Sequence, residues 1–134
     1  MKTVILVAAL SFFLWSCNNK KEEQNFGKPT EPVAVEAKSA EFPLAEKGAA
    51  LFEGKGTCAT CHKTDVKLVG PSLQDIAKNY KEKKASIAAF LNGELDPIVD
   101  PTQFEVMKAN FVVTKAMTDE DRQALEQYIY SQGL

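Results

Sequence analysis

Cys58-Ala59-Thr60-Cys61-His62 sets two thiols three residues apart and an imidazole directly behind the second. One helical turn places such thiols at the separation of the two vinyl groups of a haem and aims the following imidazole at the iron. Cys-x-x-Cys-His is the attachment signature of c-type haem. Other chemistries fit the five residues less well. The chain has 3 Cys and 1 His, which excludes any site needing two imidazoles and any Cys₂His₂ zinc module. A structural zinc built on Cys58, Cys61 and His62 would need a carboxylate as its fourth ligand. A thioredoxin-like dithiol would need a βαβ setting, and a structural disulfide across two residues is strained.

Outward from this motif the pattern is helical and no β-hairpin or internal repeat is visible. A helix over Leu44 to Glu53, with Pro43 in its first turn, carries Leu44, Ala45, Gly48, Leu51 and Phe52 as an apolar or small stripe. Gly54 and Gly56 end it, which puts the motif at the helix end. Ser72 is suited to cap a helix with Leu73, Ile76, Ala77 and Tyr80 on one face, and Ser86 to Leu91 fits a shorter one ended by Asn92-Gly93. Leu95 to Pro101 reads as a proline-broken loop. Thr118, followed by Asp119, Glu120 and Asp121, opens a last helix whose buried stripe is Leu125, Tyr128 and Ile129.

Of 134 residues 45% are hydrophobic and 25% charged, and 16 Lys and Arg stand against 18 Asp and Glu for a net charge of -2. These are the proportions of a single globular domain. With no basic excess, nucleic acid is not an expected partner.

The N-terminus reads as a targeting segment. Lys2 precedes an uncharged run from Val4 to Trp15, too short to span a bilayer, which takes about 20 residues. Leu14-Trp15-Ser16-Cys17 resembles a bacterial lipoprotein signal, in which the cysteine is lipidated and becomes the first mature residue. The resemblance implies a signal over 1–16, a lipid on Cys17 and, through acyl chains contributing about 0.8 kcal/mol per CH₂, a stable anchor. Residues 17–41 are rich in Asn, Lys, Glu, Pro and Ala without period, the composition of a flexible tether reaching about 25–30 Å as a coil. The folded domain is expected over 42–134.

From about Leu44 onward the chain resembles the small bacterial class I cytochromes c. Gly48 and Phe52 resemble the family's glycine and aromatic pair, which crosses the last helix near Leu125 and Tyr128. Val69-Gly70-Pro71-Ser72-Leu73 resembles the segment whose proline carbonyl, here that of Pro71, accepts a hydrogen bond from the ligand histidine. Met107-Lys108-Ala109-Asn110, in an irregular stretch after Pro101, resembles the family's Met-Pro-Pro-Asn segment, with both prolines replaced. The resemblance implies an all-α fold of about four to five helices wrapped around one haem c. Its iron would take His62 on the proximal side and Met107 on the distal side. Met117, which directly precedes the cap Thr118 and reads as core, is the second choice; a lysine or an open position is the remaining one. Trp15 falls in the signal, so the tryptophan that bonds a haem propionate in many relatives has no counterpart, leaving Gln103, Asn110 and Tyr80 for that role.

The implied function is electron transfer between Fe(III) and Fe(II) in a respiratory or related chain, without catalysis. The protein would be lipid-anchored in the bacterial cell envelope, with its domain in the periplasm or at the cell surface. The expected partner is a redox protein such as an oxidase, a reductase or a quinol-oxidising complex, and the membrane is touched only through the anchor. A five-coordinate haem sensor, a peroxidase-like enzyme or a fixed subunit of a larger oxidoreductase are the alternatives.

Overall fold

The computed structural model describes residues 40–133. The signal segment, Cys17 and most of the tether lie outside them. From residue 45 onward six α-helices are described in chain order: α1 Ala45–Glu53, α2 Leu73–Lys83, α3 Ile87–Leu91, α4 Phe104–Lys108, α5 Phe111–Lys115 and α6 Asp119–Gln132. Two 3-10 turns, Cys58–Thr60 and Pro101–Gln103, lie between them, and no strand occurs among the described residues.

Three of these helices start where a hydroxyl is available to replace a missing backbone partner. Ser72 accepts the amide of Asp75, Ser86 that of Ala89 and Thr118 that of Asp121, each at 3.1 Å. Such caps contribute about 1 kcal/mol each. After α3 the chain turns at Gly93, whose φ of 76° lies in the left-handed region that glycine enters without strain.

The core forms where α1, α2 and α3 meet α6. At the α1–α6 crossing Gly48 lies under the Ala124 carbonyl, so close that a Cβ would come within 2.0 Å of that oxygen. The approach lets Phe52 meet Tyr128 with ring centroids 5.3 Å apart. Leu73, Ile87 and Leu125 are almost fully buried around this crossing. Polar side chains of α6 then close the ends of its neighbours: Glu126 Oε1 accepts the Ile87 amide at 2.7 Å and Gln127 Oε1 the Leu44 amide at 2.8 Å. Arg122, 6% exposed, donates through one nitrogen to the carbonyls of Thr114 and Met117 and pairs with Asp119 through another.

Three sequence expectations need correction. Pro43 lies in the turn before α1 rather than in its first turn. The Cys-x-x-Cys-His motif is not the end of α1; Gly54 to Thr57 intervene, and the motif opens its own 3-10 turn. The stretch after Pro101 is not irregular: it forms α4 and α5, and Met107 lies on α4. Neither short helix has a side-chain cap of its own; the Asp100 side chain caps the 3-10 turn that runs into α4, and α5 has no polar start signal. Both helices are held by Phe104 and Phe111, which pack with Phe90 at centroid distances of 5.4–6.1 Å.

Candidate cofactor site

Thr57 holds φ at 53°, an unusual value for a β-branched residue, and turns the chain sharply into Cys58. Behind it Gly56 is buried, where a Cβ would stand 2.8 Å from the Cys58 sulfur. The Cys58 carbonyl accepts both the Cys61 amide, at 3.1 Å, and the His62 amide, at 3.0 Å. One oxygen thus gathers the motif into a tight turn. Both cysteines are free thiols and half-buried. Burial pushes the Cys58 thiol up to about 11, so it carries almost no thiolate at neutral pH, which argues against a reactive dithiol. Among the described residues no group of three or more His, Cys, Asp and Glu is placed to hold a metal ion.

The loop after His62 fixes its ring. The first amides of α2 have no partner within the helix. Leu73 and Gln74 therefore donate backward to Lys63 and Thr64 at 2.9 and 3.1 Å, while the Gly70 amide donates to Cys61 at 2.9 Å. The loop folds back on the motif and sets the Pro71 carbonyl oxygen 2.7 Å from His62 Nδ1. A carbonyl only accepts, so Nδ1 carries the proton and Nε2 keeps its lone pair for a metal. Gly70 lies against the ring: a Cβ would fall 2.3 Å from Cε1.

These residues line a cavity of about 360 Å³, within the usual range for cofactor sites. Its other walls are mainly apolar, with Phe52, Leu73, Ile98, Phe104 and Leu125 among them. Met107 lines it too, half-buried on α4, whereas Met117 is 4% exposed and belongs to the core cluster. Gln103, Asn110 and Tyr80 all reach the cavity, but the Asn110 amide is already engaged, donating to the Gly56 carbonyl at 3.1 Å. Asn110 therefore acts as a clamp between the Met107 segment and the chain before Cys58. That role was not legible in the sequence, because its partner lies 54 residues away. Two thiols and one imidazole with a free Nε2, set on a large apolar cavity, fit a haem held by covalent bonds.

Comparison with known proteins agrees with this chemistry. The cytochrome c family model matches residues 45–133. Cytochrome c-551 of Pseudomonas aeruginosa is 30% identical over 96 residues, 69% of this chain and 84% of that protein. Shorter stretches match cytochrome c-551 of Stutzerimonas stutzeri, 53% identical over 34 residues, and cytochrome c-552 of Nitrosomonas europaea, 42% over 41 residues. These two alignments cover 25% and 31% of this chain, and the chain spans only 32% and 39% of those two relatives. The match over most of the folded part, together with the all-α architecture and the Cys-x-x-Cys-His cavity, shows that the chain belongs to the cytochrome c family and has covalently bound haem c as its cofactor.

Proposed function

We propose that the protein is a membrane-tethered, one-electron carrier in a respiratory or related chain, with His62 and Met107 as axial ligands. The observation that carries this reading is the His62 Nδ1 bond to Pro71, which leaves Nε2 as a donor on a cavity that Met107 also lines. When bound, the haem supplies a one-electron Fe(III)/Fe(II) couple. Cys58 and Cys61 would hold it through two thioethers, which prevents its loss outside the cytoplasm. The Pro71 carbonyl orients the imidazole and raises its basicity. With the His62 nitrogen and the Met107 thioether both given to the iron, no position would be left for a substrate, and the work of the protein would be to hold both donors and exclude water. The Met107 thioether favours the reduced state relative to a second imidazole, and the apolar walls act in the same direction.

Val69 and Val106, 46% and 54% exposed, stand at the rim of the cavity. An apolar rim of this kind supports docking of a redox protein, such as an oxidase, a reductase or a quinol-oxidising complex. The tether is inferred from the sequence around Cys17, and it would keep the domain in the bacterial periplasm or at the cell surface; Cys17→Ser should release the protein from membranes.

The ligand test is spectroscopic. Ferric protein should show a weak far-red sulfur-to-iron absorption that Met107→Ala abolishes and Met117→Ala retains. Rapid carbon monoxide binding to the unaltered ferrous protein would instead show an open position and overturn the carrier reading.

A further inference from the structure

Residues 101–109, which bear Met107, are tied to the wall that carries His62 at both of their ends. At the far end the tie is Asn110 to Gly56. At the near end it is Asp100, whose Oδ2 accepts from Lys67 Nζ at 2.7 Å. Lys67 belongs to the loop between His62 and Pro71, the same loop that the backbone bonds to Leu73, Gln74 and Cys61 fasten down. The other oxygen of Asp100 accepts the Thr102 hydroxyl at 2.6 Å and the Gln103 amide at 3.3 Å, capping the turn that leads into α4. The Asp100 side chain is 14% exposed and that of Lys67 59%, and Asp100 itself lines the cavity. Lys67 and Thr102 hold its carboxyl down to about 2, so Asp100 is a carboxylate at neutral pH. Among the described residues no other ion pair joins these two segments: Lys108 pairs with Glu105 within α4, while Lys47 with Glu120 and Asp121, and Arg122 with Asp119, lie elsewhere.

We propose that Asp100 and Lys67 are positioning residues for the distal ligand, their ion pair keeping the Met107 segment closed against the His62 wall. The proposal rests on the Met107 reading above. A neutral thioether is retained by how seldom its segment swings away, and a contact made only in the closed arrangement lowers the open population. Lys67 reaches across from one wall while Asp100 sits at the hinge of the other, so the pair resists the motion that would withdraw Met107. Because the Lys67 end is exposed to solvent, the tie is weakened by salt.

The test uses ferric holoprotein of the full chain and imidazole, which competes with a methionine for the iron. Asp100→Asn and Lys67→Ala should each bind imidazole about 3- to 10-fold more tightly than the unaltered protein. Lys67→Arg should behave as unaltered, and the double variant should exceed Asp100→Asn by little, because both substitutions break one tie. Raising the salt to about 0.5 M should tighten imidazole binding to the unaltered protein and leave Asp100→Asn unmoved. Amide hydrogen exchange over residues 102–109 should quicken in Asp100→Asn and Lys67→Ala. Asp121→Asn, which disturbs the ion pair with Lys47, serves as the control. Imidazole affinities equal to that of the unaltered protein, or effects of the two substitutions that add in full, would overturn the proposal. An unaltered protein without the far-red band would sink the Met107 assignment; the exchange rates, which need no assigned ligand, would then still decide whether the tie holds the segment.

Discussion

Gly70 shows how much one hydrogen atom in place of a methyl group decides at the site. A Cβ there would lie 2.3 Å from His62 Cε1 and 2.8 Å from Nδ1, well inside van der Waals contact, so the imidazole lies on bare backbone. Gly70→Ala must push the ring away from Pro71 or pull the loop from α2. We expect it to destabilise the holoprotein by about 1–3 kcal/mol in denaturant unfolding and to shift the His62 ring resonances; unchanged resonances would refute this account. Individual residues differed in how legible they were. Ser72, Ser86 and Thr118 could be read as caps because their partners lie three residues on. The motif residues and Pro71 could be read because attachment chemistry and family resemblance constrain them locally. Arg122 could not: one buried nitrogen serves Thr114 and Met117, and in a helix start rich in acids an arginine looks like one more surface charge.

Elements were legible where their boundaries carry polar signals and illegible where tertiary contacts replace them. α2, α3 and α6 begin at hydroxyl caps, whereas α4 and α5, five residues each, are too short to persist alone and depend on their phenylalanines, α4 with help from the Asp100 cap on the turn before it. α3 is equally short, and it draws support from a helix far along the chain. Glu126 on α6 accepts the Ile87 amide, adding a second cap to the one from Ser86. Glu126→Ala should therefore cost about 1–2 kcal/mol in thermal unfolding, with exchange at Ile87 and Ala88 accelerated most. Glu126→Gln retains an acceptor oxygen and should lose less; equal losses would show that the charge, rather than the capping oxygen, matters.

For the whole molecule the cavity dominates. Its apolar walls, with Phe52, Leu73, Ile98, Phe104 and Leu125 among them, would gain burial from the macrocycle, and apolar area removed from water contributes about 25 cal/mol per Å². The net stability of a small domain is only about 5–15 kcal/mol, so the loss of that burial is felt by the whole fold. Cofactor and fold are therefore one cooperative unit, and Cys58→Ser with Cys61→Ser should abolish covalent haem staining and leave a chain with much reduced helical circular dichroism. Native-like helix content and a sharp unfolding transition in that variant would contradict such coupling. The position of α6 has a consequence for the order of events during biogenesis. The helix that supplies the Gln127 and Glu126 caps and receives Gly48 follows α1, α2 and α3 in the chain and so leaves a ribosome after they do. Until it arrives, α1 and α3 lack these closing contacts, and the segment around Cys58 and Cys61 would be open for the proposed attachment. The order of the helices along the chain would thus set an interval in which attachment can take place.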